Sequence, residues 1–354
     1  MKTRFLDLRN CHELLPRATG LSLVHHLDEC LRQINDSDTA HFGAVDYLIK
    51  HNEKTHNRLR GSQRFVDSPL EIAQASDVVR QVVDTRLAQR SDKGPAKLHT
   101  ILAFEDGKLW KTIVPLQFLL KGWGDARRGH QCYVHTIAQN RRRLQGIHGW
   151  QGRSPTDEDE FYYVGITSRN WLRRLGEHIG EVRRGSRKRF HAAWRESLGM
   201  DDVQFVSSLM DINLSFEDAM EWEEIHVDRF AYGTNGLNMI PGGFKGLRHL
   251  HEHGIIGRQD ISLDERDHAI AEYLRQNPRK GIPNPFLAEL WKDDNYYLRV
   301  IEARPKTLSA AQVRQIRQLF EDGRTVAEIA DQVGALNEIQ VKNVIAGRTY
   351  RRVH

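Results

Sequence analysis

Apolar residues between Ser215 and Phe230 recur at the spacing of one face of a helix, and Ser215 is a typical N-cap residue. Glu223 falls on this apolar stripe. Four other acidic residues of the same run lie off the stripe, namely Glu217, Glu221, Glu224 and Asp228. A carboxylate on a buried face is costly unless it is paired, hydrogen-bonded or bound to a metal. The pattern therefore predicts that Glu223 either forms a structural salt bridge with an arginine or holds a metal ion.

A run of aromatic and β-branched residues from Phe161 to Thr167 predicts a short strand. Helical spacing begins after it at Trp171. Arg174 and His178 are four residues apart in this helix, so they share one of its faces. Two interpretations stay open for this pair, a functional site and a solvated basic face.

Basic residues are concentrated just downstream, at Arg183, Arg184, Arg187, Lys188, Arg189 and Arg195. Phe190 and Trp194 lie between them. Such a run suits a nucleic-acid backbone flanked by stacking surfaces. The alternative is a charged face that only contacts solvent.

The segment from Tyr163 to Gly243 resembles the GIY-YIG endonucleases in the order, type and approximate spacing of its polar residues. The matching positions are Tyr163-Val164-Gly165 in the second half of the name motif, Arg174 and His178 in the first helix, Glu223 as the single metal-binding glutamate and Asn238 as the asparagine that closes the domain.

The first half of the motif resembles the strand-like run from Gln131 to Ile137, in which Tyr133 takes the tyrosine position and Gln131 replaces glycine. A long insertion follows before Tyr163, and some restriction enzymes of this family carry a similar one. It holds the basic residues Arg141, Arg142, Arg143 and Arg153. We expect this loop to contact DNA, and a disordered basic loop is the alternative.

The resemblance implies hydrolysis of a DNA phosphodiester by in-line attack of water with one divalent metal. Glu223 would hold Mg²⁺ or Mn²⁺, since hard cations prefer oxygen ligands. Tyr133 would be the general base, which requires that nearby cationic charge lower a phenol pKa of about 10. Arg174 would stabilise charge on the phosphate, while Tyr163 and His178 would orient water or phosphate. Gly165 and Asn238 would have structural roles.

Three short helix patterns follow between Thr307 and His354, and each opens with a cap-x-x-Glu/Gln pair. The pairs are Ser309 with Gln312, Thr325 with Glu328 and Asn337 with Gln340. The residues expected to face inward are Val313, Ile316, Leu319, Phe320, Val326, Ile329, Ala330, Val333, Ile339, Val344 and Ile345. This pattern resembles the helix-turn-helix modules of recombinases and homing-type nucleases.

The recognition helix would run from Asn337 to Ile345, with Glu338 and Lys342 also facing outward. Gln340 and Asn343 suit base edges, and Arg348, Arg351 and Arg352 suit phosphates. Lys342 is a further expected DNA contact. A helical hairpin that binds another protein is the alternative.

The rest of the chain indicates structure more than function. Residues 1–125 form a mixed segment of unassigned role, in which we expect helices at Leu21–Ile34 and Leu70–Leu87. A hairpin is expected from the two runs that flank Glu105-Asp106-Gly107-Lys108. Residues 245–306 are either a spacer or a compact helical extension, because their prolines break the pattern but their aromatic residues are numerous.

The composition indicates which class of partner the chain would bind. The net charge is +5 and the isoelectric point is about 9.1, which favours a polyanion such as double-stranded DNA. No apolar run is long enough for a membrane span, so a cytoplasmic protein is expected. The three cysteines have no metal-binding spacing and are interpreted as reduced thiols. Neither zinc nor a nucleotide cofactor is indicated.

The sequence thus predicts an α/β (α+β) protein with a small mixed sheet flanked by helices. Its four parts would be residues 1–125, a nuclease domain at 126–244, a connecting segment at 245–306 and a helix-turn-helix domain at 307–354. The expected activity is site-directed DNA cleavage, with a homodimer required if both strands are cut. The alternatives are a catalytically inactive DNA-binding regulator and a structure-specific repair nuclease.

Overall fold

The computed structural model describes residues 2–17, 19–38, 42–58, 70–77, 86–89, 97–103, 109–138, 160–200, 203–231, 235–278, 281–302 and 306–353. These residues divide into two compact units, 1–282 and 283–354, which are described separately. Within these ranges, no helix has the length and apolar character needed to cross a membrane.

One mixed seven-stranded sheet forms the centre of the first unit. Its strands are β1 (Leu70–Asp77), β2 (Arg86–Gln89), β3 (Lys97–Ala103), β4 (Leu109–Pro115), β5 (His130–Ala138), β6 (Glu160–Thr167) and β7 (Gln204–Leu214). The strand order is β2-β1-β3-β4-β7-β5-β6, with parallel pairing in β1–β3 and β4–β7 and antiparallel pairing elsewhere. The expectation of a mixed α/β protein is therefore confirmed, although the sheet is larger than expected.

The N-terminal segment supplies four of these strands, which corrects one prediction. The expected helix at Leu70–Leu87 is wrong, because β1 and β2 occupy its two ends. The run Leu70-Glu71-Ile72-Ala73 also fits the two-residue alternation of a strand, and pairing with β3 favours that period. The expected hairpin is confirmed in the antiparallel register of β3 and β4, and its turn lies outside the described residues.

The described part of the first unit contains nine helices. They are α1 (Leu8–Leu14), α2 (Leu21–Asp36), α3 (Ala44–Arg58), α4 (Leu116–Leu119), α5 (Trp171–Arg183), α6 (Arg189–Leu198), α7 (Phe216–His226), α8 (Gly243–Glu252) and α9 (Leu263–Gln276). A π-helical turn, Val227–Ala231, continues α7. Helix α2 confirms the prediction made for Leu21–Ile34, and Ser215 caps α7 as expected, since its hydroxyl accepts from the Asp218 amide.

The N-terminal segment shares a core with the strand and helix that follow it. Tyr133 and Trp171 belong to the same buried cluster as Leu14 and Phe118, and the Trp171 indole donates to the Leu14 carbonyl at 3.2 Å. Asp28 fixes the start of the chain, because its carboxylate accepts from three consecutive backbone amides, those of residues 4–6. Residues 1–125 therefore help to position β5 and α5.

Helices α8 and α9 pack against α7 and correct the spacer interpretation. Leu250 and Ile270 lie in one buried cluster with Met220 of α7 and Ile166 of β6. The boundary expected after residue 244 falls inside the first turn of α8. Residues 245–282 are thus a compact helical extension of the first unit, as the alternative proposed.

The second unit contains α10 (Pro285–Leu290), α11 (Asp294–Glu302), α12 (Ala310–Glu321), α13 (Val326–Val333) and α14 (Glu338–Ile345). Ser309 and Thr325 form the expected capping boxes, with reciprocal bonds to Gln312 and Glu328. Asn337 caps α14 only one way, because the Gln340 side chain accepts instead from the Leu336 amide. Val313, Ile316, Ile329, Val341 and Val344 form the buried core.

Two residues expected to face inward in this unit do not. Phe320 is 48% exposed and Ile339 is 66% exposed, so both predictions are wrong. Both lie within one turn of a helix end, where the short neighbouring helices do not cover them.

Two glycines let the chain pass close to α7 where Glu223 lies. Gly243 has a φ of +53°, and a Cβ there would be 2.0 Å from the Met220 carbonyl oxygen. A Cβ on Gly242 would be 2.3 Å from the Glu223 carbonyl oxygen. Any side chain at either position would push the loop away from α7.

We expect Gly243→Ala to destabilise the first unit much more than Gly185→Ala. Both positions have positive φ, so each alanine costs about 1–2 kcal/mol of backbone strain, but a Cβ at Gly185 meets open space. The clash at Gly243 should add at least about 2 kcal/mol. Urea denaturation of the two variants would measure the difference, and equal losses would contradict the close packing of this loop.

Candidate functional site

The site is centred on two facing residues of β5 and β6. Tyr133 lies opposite Gly165 in the antiparallel register. A Cβ on Gly165 would be 2.6 Å from both Cζ and the hydroxyl oxygen of Tyr133, so the phenol ring occupies the space that a side chain would need. Tyr133 is buried, and its hydroxyl lies 3.4 Å from Nε2 of His178. The missing side chain at Gly165 thus leaves the room that the Tyr133 ring and hydroxyl occupy.

Helix α5 brings Arg174 and His178 to the same place. Its N-cap is Asn170, whose side chain accepts from the Arg173 amide. Arg174 and His178 are both buried on the face toward the sheet, so the solvated basic face is wrong for this pair. Arg174 donates to Glu177 at 3.0 Å and also pairs with Asp267.

Glu223 lies on the inner face of α7, as its place on the apolar stripe predicts. Its side chain is 4% exposed and accepts two hydrogen bonds from Arg266, at 2.6 and 3.1 Å. The Gly243 amide donates a third at 2.9 Å. The structure therefore shows the arginine salt bridge that was one of the two predictions for this carboxylate.

Arg266 and Asp267 are two site residues that the sequence did not predict. They are consecutive in α9, and they pair with Glu223 and Arg174 respectively. Both lie in the segment considered as a spacer, and neither has a spacing that relates it to the site residues. The one local signal was the capping box of Ser262 and Glu265, which predicts a helix start but not its partner.

Two cavities adjoin the site. The larger has a volume of about 610 Å³ and is bounded by Tyr133, Tyr163 and Arg174 on one side and by the start of α9 on the other. The smaller, of about 60 Å³, is bounded by Glu223 and the loop at Pro241. Arg266 and Asp267 line both cavities, so they stand between Glu223 and the larger one.

Asn238 connects the loop before Pro241 to β6, the strand that contains Tyr163, through two hydrogen bonds. Its side-chain oxygen accepts from the Val164 amide and its side-chain nitrogen donates to the Val164 carbonyl, both at 2.9 Å. This pairing satisfies both backbone groups of a buried residue between Tyr163 and Gly165.

Two further histidines line the site without having been singled out in the sequence. Nε2 of His191 in α6 is hydrogen-bonded to Nδ1 of His178 at 2.8 Å, and the tautomers of the two rings decide which nitrogen donates. His135 of β5 stacks on Tyr163 and Phe190, and its ring nitrogens have no hydrogen-bond partner among the described residues. His135 could have been found from its alternation with Tyr133, since residues two apart in a strand share a face.

Burial keeps these histidines neutral. It lowers the pKa of His135 and of His191 to about 3 and also lowers that of His178, with the Arg174 charge acting in the same direction on all three. Between about pH 3 and pH 6.5, the ordinary pKa of histidine, the histidines bind more protons in the unfolded chain than in the folded one. Their contribution to stability is therefore complete above pH 6.5 and is lost as the pH falls through this range.

Burial also raises the pKa of the Tyr133 and Tyr163 phenols, and the nearby Arg174 charge opposes the rise only in part. The lowered phenol pKa that a free phenolate base requires is therefore not found. Tyr133 is a neutral phenol at neutral pH, and it can accept a proton only by giving up its own.

The expected DNA contacts of the first unit have mixed surroundings. Arg187 is exposed, whereas Lys188 is 14% exposed and lies 3.2 Å from Glu181. Arg189 is half-buried. Phe190 and Trp194 are buried in the core, so their role as stacking surfaces is wrong. The residues Arg141, Arg142, Arg143 and Arg153 lie outside the described ranges.

In the second unit, the Gln340 side chain accepts from the Leu336 amide and donates to the Lys306 carbonyl. Both its oxygen and its nitrogen are therefore already used in hydrogen bonds within this unit. Lys342 is exposed beside Glu338 at 3.1 Å, and Asn343 is half-buried. Arg348 is exposed. Arg352 pairs with Asp294 and with two backbone carbonyls of the same unit.

Two groups of side chains in the described ranges bring three potential metal ligands within 4.8 Å of one another. They are His178, Glu181 and His191, and His249, Glu252 and His253. Imidazole ligands suit zinc and similar transition metals more than Mg²⁺. Neither group contains Glu223.

No protein-family model, no curated protein and no solved structure matches this chain. The interpretation of the site therefore depends on the residues and distances described above.

We expect Arg266→Ala to lower the free energy of unfolding by about 3–5 kcal/mol, because it leaves the Glu223 carboxylate buried without its partner. The double variant Arg266→Met with Glu223→Gln should recover much of this loss, since it buries no unpaired charge. Arg248→Ala is the matched control, because its pair with Glu224 is exposed and should contribute less than about 1 kcal/mol. Equal losses for Arg266→Ala and Arg248→Ala in chemical denaturation would contradict the buried pair.

Proposed function

We propose that this chain is a metal-dependent DNA endonuclease of the GIY-YIG type that hydrolyses phosphodiester bonds. The observation that supports the proposal is the convergence of Tyr133, Tyr163 and Arg174 at one cavity, with His178 behind the Tyr133 hydroxyl and Glu223 at the adjoining cavity. These residues come from four separate elements, and the sequence pattern predicts each of them as a site residue.

Each side chain suits a step of phosphodiester hydrolysis. The Arg174 guanidinium is a fixed positive charge at the cavity wall, where it would stabilise the charge that develops on the phosphate. Tyr133 also lines the cavity, and its hydroxyl would take the proton of the attacking water. Tyr163 lines the same cavity and would hold water or phosphate in line, whereas His178 would act on them through the Tyr133 hydroxyl that it contacts. Gly165 leaves the space in which the Tyr133 ring lies.

A divalent metal fits at Glu223 on chemical grounds, because a cation already binds there. The Arg266 guanidinium takes both carboxylate oxygens, so it stands in the place that a metal would need. Mg²⁺ or Mn²⁺ is the cation of choice for a lone carboxylate and a phosphate substrate, and it would neutralise charge on the phosphate oxygens. For Glu223 to hold a metal, Arg266 would have to release its carboxylate.

The second unit would supply affinity for double-stranded DNA. Three capped helices with a shared core support a helix-turn-helix, in which α14 would enter the major groove. Asn343 would contact base edges, and Lys342 and Arg348 phosphates. The working place of such a protein is the cytoplasm, at the DNA. A single site per chain cuts one strand, so a double-strand break would require two chains.

We expect the purified protein to convert supercoiled DNA to nicked or linear products with Mg²⁺ and not with EDTA. Glu223→Gln and Arg174→Ala should each lower the cleavage rate at least about 100-fold, since each removes a charge used in the transition state. The matched controls are Glu221→Gln and Arg173→Ala, which change the same charges on exposed faces of the same two helices and should cleave normally. Gel electrophoresis of the DNA products would measure the cleavage rates of the wild type and the four variants.

The outcomes separate the alternatives. Binding without cleavage by every protein would replace the nuclease by a DNA-binding regulator. Cleavage confined to branched or damaged substrates would favour the structure-specific repair nuclease. Loss of activity in the controls as well as in the site variants would mean that cleavage depends on the net charge of these helices and not on the site residues.

We expect Asn343→Ala to weaken binding to the preferred sequence by about 1–3 kcal/mol and to relax the preference at one base position. Arg348→Ala should weaken binding to all sequences and reduce the salt dependence by about one phosphate contact. Arg324→Ala, which is also exposed in this unit and lies outside α14, is the control. Fluorescence anisotropy at several salt concentrations would measure these effects, and unchanged binding in all three variants would contradict a helix-turn-helix role.

A further inference from the structure

A continuous line of hydrogen-bonding groups leads away from the Tyr133 hydroxyl. The hydroxyl lies 3.4 Å from Nε2 of His178, and Nδ1 of His178 lies 2.8 Å from Nε2 of His191. On the far side of that ring, Nδ1 lies 2.8 Å from the Ser186 hydroxyl and 3.4 Å from a Glu181 carboxylate oxygen. Each ring therefore uses one nitrogen toward Tyr133 and the other away from it.

With both rings neutral, this line can be satisfied in two ways. In one, Tyr133 donates to His178, His178 to His191, and His191 to Ser186 or Glu181. In the other, each ring carries its hydrogen on Nε2 and every histidine bond donates toward Tyr133. Passage from the first arrangement to the second moves one proton equivalent from the phenol to the far end.

The charges around the rings favour such a concerted shift over a charged intermediate. The groups that face them are Tyr133 and His135 from β5, Tyr163 from β6, Arg174 and Glu181 from α5, Lys188 and Arg195 at α6, and Asp267 from α9. Burial, together with Arg174 and Lys188, opposes an imidazolium at either histidine. A shift in which each ring gains a proton at Nε2 as it loses one at Nδ1 avoids that charge.

We propose that His178, His191 and Glu181 form a proton relay from the Tyr133 hydroxyl to the protein surface, with His191 as the positioning residue that completes it. The relay rests on the proposed nuclease function. It supplies what a buried neutral phenol lacks as a general base, namely an acceptor for its own proton.

The proton balance of the step is complete. The attacking water gives its proton to the Tyr133 oxygen, and its O–H electron pair forms the new bond to phosphorus. Tyr133 gives its original proton to Nε2 of His178, Nδ1 of His178 gives one to Nε2 of His191, and Nδ1 of His191 gives one to the Glu181 carboxylate. Glu181 is 22% exposed and returns the proton to solvent. The leaving oxygen departs with the electrons of its bond to phosphorus and takes a proton from solvent.

The distances favour a hydrogen bond between the two rings over a bound ion. Two nitrogen ligands of a tetrahedral zinc ion would lie about 3.3 Å apart, given Zn–N bonds near 2.0–2.1 Å. The observed separation is 2.8 Å, and the Lys188 ammonium already lies 3.2 Å from Glu181. The third ligand of such a site is thus paired with a competing cation.

The test uses the full-length protein with Mg²⁺ and supercoiled DNA. His191→Ala should cleave roughly 100-fold or more slowly than the wild type while binding DNA equally well. Added imidazole should restore part of the rate, because it can enter the vacated space and exchange protons at two nitrogens. N-methylimidazole should not, because its second nitrogen carries no proton. His251→Ala, exposed on α8, is the control and should be unaffected by either compound.

Because His191→Ala removes a buried ring, His191→Gln provides a second variant that keeps volume and hydrogen bonding but cannot pass a proton. It should be folded by circular dichroism, as slow as His191→Ala, and should show an altered pH–rate profile. Full activity in His191→Gln, or equal rescue by both imidazoles, would overturn the relay while leaving the nuclease in place. A wild type that cleaves no DNA would overturn the proposed function, and the relay with it.

Discussion

The structure of the site depends on buried charges that must be paired. Glu223 and Arg174 are both withdrawn from solvent, and an isolated ion in such a place is several kcal/mol less stable than in water. Helix α9 meets both requirements at once, because Arg266 and Asp267 are adjacent and of opposite charge. The position of α9 over the site thus follows from electrostatics as well as from the apolar cluster around Ile270.

This pairing connects the fold to the proposed chemistry. The same carboxylate that would hold a metal now holds a guanidinium, and the same guanidinium that would hold a phosphate now holds a carboxylate. The protein's own side chains therefore occupy positions with the charges of metal and substrate. Substrate and metal would have to displace interactions that also stabilise the folded chain.

The aromatic and imidazole groups follow a different constraint. They are buried, mutually packed and neutral, and their hydrogen bonds form a line between β5, α5 and α6. Burial raises the pKa of the Tyr133 phenol while it lowers the pKa values of the histidines. A phenol in such surroundings acts in proton transfer only together with its neighbours.

The sequence alone determined the parts that depend on local pattern. The inward position of Glu223, the shared face of Arg174 and His178 and two of the three C-terminal capping boxes all follow from spacing within one element. The mixed α/β class and the β3–β4 hairpin follow from the same kind of information. The prediction failed at Leu70–Leu87 because part of that segment fits the two-residue period of a strand as well as the period of a helix. It failed at Phe320 because the short neighbouring helices do not cover the end of its helix.

Only the tertiary structure decided which residues meet. The α9 partners of Glu223 and Arg174 lie 43 and 93 residues away along the chain, in a segment whose local pattern gives no sign of the site. His191 likewise lies in a basic helix with no spacing that relates it to Tyr133. The N-terminal segment joins the same sheet through β4 and β7. Pairing of distant charges and strands is a property of the assembled fold, because local periodicity records which face is buried and not what covers it.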